Sequence, residues 1–281
     1  MHKKKEVTPA TQAGRDFMKS HFGEVETQSD QMKKLPQPPL ANPARGGQTI
    51  PLTRDFSGVI TQRDVEAVIA GRISHRFYAT DAVTQAQLAF LLWASQGVRG
   101  IRGNNYAALR TVPSGGARHA FETYLAINNV QGLPAGIYHY LPLTHELECI
   151  QPGGICSVPG KENAPLPEMV SHCVCDQKWA AGAAVTFFYT MVAYRGEWRY
   201  AERTHRVALI DVGHVAQNLY LACEASGLGT CAIAAFRQAD SDALLQVDGE
   251  EEFTIYVCPV GVKDPTKNTA GNDKLYADVQ K

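Results

Sequence analysis

The stretch from Arg206 to Phe236, RVALIDVGHVAQNLYLACEASGLGTCAIAAF, limits what this chain can fold into more than any other. Val207, Ile210, Val215, Leu219, Ala222 and Cys223 recur at three- and four-residue steps, and Leu209, Val212, Ala216, Tyr220 and Leu221 fill most of the remaining surface. That period is helical, and a helix apolar nearly all round belongs in an interior. Gly227 is placed to end it as a left-handed C′ residue, a conformation glycine adopts without steric cost. The run TCAIAAF that follows reads as a buried strand. Gly229, Ala232, Ala234 and Ala235 carry so little side chain that a flat ligand could lie against the backbone there. A core helix and core strand with no ligand explain the same pattern. Gly227, Gly229 and Ala232 also spell G-x-G-x-x-A, but the dinucleotide fingerprint needs a strand before it and a helix after it. Here the helix comes first, so no Rossmann site is expected.

At 281 residues the chain can form one large domain with appendages or two small ones. Its 27 basic and 28 acidic residues are interleaved, leaving no sustained basic surface, so nucleic acid is not an expected partner. The longest apolar runs are strand-sized, well short of the ~20 residues of a bilayer-spanning helix. MHKKKEVTPATQ has the charge of a secretory leader but no apolar segment after it, so a soluble, cytoplasmic protein is expected. The seven cysteines include no C-x-x-C pair and the nine histidines no H-E-x-x-H. Neither a disulfide framework nor a metal is expected.

Residues 1–54 mix charge with proline, as in LPQPPLANP, and show one weak helical stretch around Gln12 to His21; they read as an arm or linker. The globular domain is expected over 55–265, with a polar tail over 266–281. Thr61 and Asp64 form a near-capping box for a helix carrying Val65, Val68 and Ile69 and ending at Gly71. Next comes Arg72-Ile-Ser74-His-Arg76, in which alternate residues of an extended segment converge on one side. Two guanidinium groups and a hydroxyl make a phosphate-sized set; a solvated turn with surface arginines is the other reading. Thr84 and Gln87 form a full capping box for AQLAFLLWASQ, stopped by Gly97. A glycine-spaced loop (Gly97, Gly100, Gly103) leads to Pro113-Ser114-Gly115-Gly116, which is either an ordinary loop tip or a rest for a ligand edge. ETYLAINNV and GIYHYLPL read as a hairpin, residues 151–168 as a surface excursion, and AAVTFFYTMVAY as a strand buried on both faces. An amphipathic stretch from Arg195 to Arg203, a helix near Asp240 to Gln246 and the strand FTIYVCPVGV complete the pattern.

Together these segments resemble the nitroreductase family of flavin enzymes, and within it the branch of SagB-type and thiazoline-forming peptide oxidases. The resemblance covers roughly Val59 to Val262. It rests on Arg72-x-Ser74-x-Arg76, LLWASQG, Arg110-x-x-Pro113-Ser114-x-Gly116, GIYHY, Trp198-x-Tyr200-x-Glu202-Arg203, GH-x-AQNLYLA, GLGT and CPVG, in that order. It implies an α+β fold, an antiparallel sheet flanked by helices around a central buried helix, with FMN at the interface of a homodimer. Arg72, Ser74 and Arg76 would hold the phosphate, ribityl chain and pyrimidine edge, and Lys263 would belong to the same cofactor site. Pro113, Ser114, Gly115 and Gly116 would come from the partner chain. Ala232, Ala234 and Ala235 would pass along the ring face with a backbone N–H near N5. Tyr200 and Arg199 would be the catalytic pair.

Two departures bear on this reading. Many members of the family carry Gly where this chain has Ala234 and Ala235. Thiazoline-forming oxidases carry Lys-Tyr at the position of Arg199-Tyr200, and an arginine cannot give up its proton to act as a base. The expectation is therefore an FMN-dependent oxidoreductase taking two electrons from NADH or NADPH, written NAD(P)H, to a small organic acceptor. The alternatives are oxidation of peptide azolines to azoles by a SagB-type dehydrogenase, and a non-catalytic flavin-binding or complex subunit.

Overall fold

A computed structural model describes residues 7–24 and 27–267. In chain order the elements are α1 (Pro9–Phe17), β1 (Gln48–Pro51), α2 (Val65–Gly71), α3 (Gln85–Gln96), β2 (Val98–Arg102), β3 (Ala107–Arg110), β4 (Phe121–Ile127), β5 (Gly136–Leu141) and β6 (Glu146–Pro152). There follow β7 (Ile155–Val158), β8 (Lys161–Pro165), α4 (Leu166–Cys173), β9 (Val185–Val192), α5 (Ala193–Tyr200), α6 (Thr204–Ala225), β10 (Leu228–Thr230), α7 (Gln238–Leu245) and β11 (Glu252–Val262). Seven strands form one sheet in the order β1-β6-β5-β4-β9-β11-β10, every neighbouring pair antiparallel. With helices packed on it, this is the expected α+β architecture.

The alternation of side chains along the strands divides the interior in two. Phe187 and Tyr189 of β9 join Phe121 and Leu125 of β4 against α3 and α6, through Leu88, Leu91, Leu92, Val215 and Leu219. Phe188, Tyr124 and Ala126 point the other way, onto Leu166, Met169 and Val170 of α4 and Leu244 and Leu245 of α7. β9 is central because aromatic and β-branched residues cover both its faces. The helix α3 begins where the Thr84–Gln87 capping box closes in both directions, and Gly97 ends it in an extended conformation.

Several expectations are corrected. Residues 151–168 are not a mere excursion: the β7–β8 hairpin and α4 supply Cys156, Val158, Ala164, Leu166 and Met169 to the second core. The glycine-spaced loop after Gly97 is the β2–β3 hairpin. The cap of α2 is Asp64, whose side chain accepts from Ala67 N–H, and not Thr61. Val65 and Ile69 on that helix are exposed, at 70% and 59%. The strand after Gly227, which has φ 75°, is LGT. Past Thr230, which ends β10, TCAIAAF meets the sheet only at the Ile233–Val257 bridge, because the chain leaves the sheet edge there. The weak helix of the arm is α1, three residues earlier at its start than read. The sheet begins at Gln48, before the boundary read at Asp55. Residues 268–281 of the tail lie outside the described residues.

The central helix α6 buries one face only. Ala208, Asp211, Val212, Val215, Ala216, Leu219, Ala222 and Cys223 are buried, whereas Leu209 and Ile210 are 44% and 48% exposed beside exposed Gly213, His214 and Gln217. The open side of the helix thus presents one apolar pair, Leu209 and Ile210, ahead of glycine and polar residues.

Candidate functional site

The predicted residues fall into two groups at opposite ends of α6. At its C-terminal end, Arg72 closes α2 in an extended conformation, φ −63° and ψ 114°, and carries the chain along β10. His75 N–H donates to the Thr230 carbonyl at 2.9 Å, and Tyr78 OH donates to the carbonyls of His75 and Pro259. This fixes the alternation: His75 points inward and is buried, while Ser74 and Arg76 face out and Arg72 is half-buried. Tyr220 of α6 joins the segment to the next strand. Its hydroxyl accepts from Ala232 N–H at 2.8 Å and lies 3.1 Å from Ser74 Oγ, and the Arg72 guanidinium sits 5.3 Å from its ring centre. Burial raises the Tyr220 phenol above its ordinary value, so it stays a neutral donor. Arg76 lies 6.0 Å from the Trp179 ring. Among the described residues neither Arg72 nor Arg76 has a carboxylate at ion-pair distance. Lys263, by contrast, is held by Glu224 at 2.6 Å.

Ala234 and Ala235 are exposed, and their N–H groups make no hydrogen bond among the described residues, so two donors stand free beside small side chains. The neighbouring N–H groups are occupied, Ala232 by Tyr220 and Ile233 by Val257. Gly229 is a correction. The space a side chain would take there is filled by His75, whose Cβ and Cγ lie 2.7 Å from a Cβ built on Gly229, so no ligand rests on that residue.

The second group lies at the N-terminal half of α6. The turn Pro113–Gly116 is held by Asp211, which accepts from Gly115 N–H at 2.9 Å, and Ser114 Oγ accepts from His119 N–H at 3.0 Å. Asp211 is 8% exposed, and burial raises its carboxyl above the ordinary range. A Cβ on Gly115 would meet Val207, and one on Gly116, at φ 59°, would collide with Arg199 Nε and lie 2.7 Å from Tyr200 Oη. The two glycines are thus what lets the turn close onto α6 and the Arg199–Tyr200 pair. Ala117 and His119 also have positive φ, 52° and 46°, an uncommon conformation for residues with a side chain. Arg199 donates to Tyr106 OH and lies 5.5 Å from the Tyr200 ring centre.

Beneath α5 runs a buried charged network. Arg195 pairs with Glu122 at 2.6 Å, and His139 Nε2 lies 3.1 Å from the other oxygen of that carboxylate. Burial alone would raise Glu122, but Arg195 and His139 outweigh it and bring the carboxyl from 4.5 down to about 2. Arg195 also reaches the His119 carbonyl, so the network ties α5 to the end of the Pro113–Gly116 turn.

Asp211 and Tyr220 are nine residues apart on α6, roughly 13 Å at ~1.5 Å per residue. The structure therefore brings Arg72, Ser74 and Ala232 together through Tyr220, and Pro113 to Gly116 together with Arg199 and Tyr200, but does not join the two groups within one chain. Two residues were missed in the sequence. Asp211 had a signal, being the lone carboxylate between Thr204 and Cys223. Tyr220 had none, since an aromatic on an apolar helix reads as core. Among the described residues no group of three or more His, Cys, Asp or Glu is placed to hold a metal, and no helix is long and apolar enough to cross a membrane.

Comparison with known proteins bears on this geometry. The profile described as Nitroreductase family matches residues 69–262. The chain is 30% identical over 208 residues to "Putative nitroreductase MJ1384" of Methanocaldococcus jannaschii, a match covering 73% of this chain and 93% of that protein. It is 36% identical over 121 residues to the trifolitoxin-processing protein TfxB of Rhizobium leguminosarum bv. trifolii, across 42% of this chain and 30% of that one. Its fold is similar to a chain of the E. coli microcin synthetase McbBCD complex with truncated pro-MccB17 bound, with a TM-score of 0.57 at 17% identity, covering 94% of this chain and 85% of that one.

Proposed function

Because the chain belongs to the nitroreductase family of oxidoreductases, we propose that it is an FMN-dependent enzyme working as a homodimer, with NAD(P)H as reductant and a small organic molecule as acceptor. The observation that carries this is the pair Arg72, half-buried, and Arg76, exposed, two guanidinium groups without a carboxylate partner among the described residues, on either side of Ser74, which Tyr220 links to Ala232, two residues before the exposed Ala234. A guanidinium fork matches the oxygens of a phosphate, and free backbone N–H groups between small side chains suit an acceptor atom on a flat ring. Bound there, FMN would supply two-electron chemistry between NAD(P)H and an acceptor such as a nitroaromatic or a quinone.

The chain's own groups take distinct parts. Arg72, Ser74 and Arg76 bind the phosphate end and Lys263, balanced by Glu224, borders it. Ala234 and Ala235 donate N–H bonds without bringing bulk, and Ala232 keeps Tyr220 in place. Tyr200 holds a proton at Oη for the acceptor. Arg199 stays charged and orients the Tyr200 ring. The distance between the two groups along α6 and the open strip at Leu209 and Ile210 support a second copy whose Pro113–Gly116 turn completes the site.

A second reading, oxidation of peptide azolines, is favoured by the likeness to TfxB. It asks for a base beside the ring, typically worth 10² to 10⁴ in rate, and Arg199 cannot be that base. A third, a non-catalytic flavin-binding subunit, is separated by activity. The first test is equilibrium titration with FMN. The protein should bind FMN with yellow colour, and Arg72→Ala should weaken binding about 10- to 100-fold, the worth of one charge-assisted bond of roughly 1.5 to 3 kcal/mol. Unchanged FMN affinity in both Arg72→Ala and Arg76→Ala would remove the phosphate assignment.

A further inference from the structure

We propose that the cavity between the N-terminal segment and the start of α6 binds an aromatic anion, and, resting on the functional reading above, that it is the outer part of the acceptor site. The segment after α1 is laid across α6 by specific contacts. Arg206 Nε donates to the Met18 carbonyl at 2.8 Å, and the Arg203 guanidinium lies 5.6 Å from the Phe22 ring centre. Phe22 in turn stands edge-on to Tyr200, ring centres 6.1 Å apart and planes at 78°. The space enclosed is about 330 Å³, walled by Phe17, Ser20, Phe22, Arg203 and Arg206. That is the lower end of the size range of small-molecule pockets, enough for one or two fused rings.

Among the described residues that line this cavity the basic groups outnumber the acidic, Lys19, Arg203 and Arg206 against Asp16 and Glu202. Asp16 is neutralised by Lys19 at 2.6 Å, Glu202 faces Arg203 at 3.8 Å, and His21 is bonded to Glu24. Arg206 forms no ion pair among the described residues, and only its Nε is occupied, which leaves the two terminal nitrogens to meet a carboxylate. Phe17 and Phe22, 45% and 47% exposed, give an aromatic ring two apolar walls. Phe22, one wall of the cavity, is the link to Tyr200, whose hydroxyl lies against Gly116. A planar aromatic acid held at Arg206 and packed on the phenylalanines would lie one ring, that of Phe22, away from the Tyr200–Gly116 half-site. Neutral aromatics of the same shape gain the walls but not the charge.

Calorimetric titration of the full-length protein, flavin-free and FMN-loaded, with 2-naphthoate and with its neutral isostere 2-naphthamide tests the proposal. Naphthoate is expected to bind at least about tenfold more tightly than naphthamide. Arg206→Gln should erase that preference, Arg206→Lys should retain part of it, and Phe22→Ala should weaken both ligands about tenfold. Equal affinities for the two ligands, or a naphthoate preference untouched by Arg206→Gln, overturn the proposal. Should Arg206→Gln fail to fold by circular dichroism, Phe22→Ala decides, and full naphthoate affinity in that variant is equally fatal. The flavin-free arm separates this claim from the functional reading. A colourless protein that still prefers naphthoate keeps the cavity and loses the flavin, whereas a yellow protein indifferent to naphthoate loses the cavity alone.

Discussion

Gly229→Ala adds one methyl group to β10, and the structure says where it goes. Its Cβ would stand 2.7 Å from Cβ and Cγ of His75 and 2.9 Å from Cδ2. Carbon atoms in contact sit at about 3.5 to 4.0 Å, so roughly 1 Å of space must be found. His75 cannot yield by rotation alone, because its Cβ is among the atoms struck, its N–H donates to the Thr230 carbonyl and it is 4% exposed. The displacement therefore falls on the whole 72–76 segment. Overpacking of this kind costs about 1 to 3 kcal/mol. It should also move Arg72 and Ser74 away from Tyr220 and Ala232, weakening FMN about tenfold. Urea unfolding of the flavin-free protein measures the first effect, and titration with FMN measures the second. Gly100→Ala serves as the control, since a Cβ there meets nothing within 4 Å. Wild-type stability in Gly229→Ala would refute the packing argument. Weakened FMN with stability unchanged would mean that Gly229 faces the ligand after all.

Ile210→Asp places a charge on the open strip of α6; light scattering should show a dimer become a monomer, with FMN affinity falling in parallel, and a wild-type monomer that keeps its flavin would contradict this. The carboxyl of Glu122 has its folded-state value depressed to about 2 from 4.5, so its contribution to stability is complete above about pH 4.5 and is lost as pH falls toward 2. Glu122→Gln should remove that acid slope in urea unfolding at a series of pH values. The same variant should cost about 3 to 5 kcal/mol at pH 7, because Arg195 is left buried without its partner. An unchanged slope would show that Glu122 is not the group responsible.

Where local chemistry sets local structure, the sequence was readable. The Thr84–Gln87 capping box, the left-handed Gly227 and the aromatic, β-branched run of β9 each fix backbone shape within a few residues. Expectations failed where distant partners decide. TCAIAAF has the composition of a strand but past Thr230 meets the sheet only at Ile233, and Thr61 has the look of a cap but its N–H and hydroxyl both donate to the Ala225 carbonyl, leaving the cap to Asp64. The second core was hidden because its glycines and prolines mark the turns of a small hairpin that only tertiary packing makes apolar. At the candidate site, R-x-S-x-R was visible as a pattern, but its clamp was not. Tyr220 lies 146 residues from Ser74 along the chain, and nothing in a single helix announces that its hydroxyl will hold Ala232 N–H. The glycines of the Pro113–Gly116 turn read as room for a ligand, and the room they leave is taken in part by Arg199, Tyr200 and Val207.

The direction of electron flow is tested by mixing the FMN-loaded protein anaerobically with NADH, with NADPH and, separately, with an azoline-containing peptide, while the flavin absorbance is followed. Rapid bleaching by at least one nicotinamide, with no change on adding the peptide, is the predicted result. Rapid bleaching by the peptide, with neither nicotinamide reacting, would contradict it.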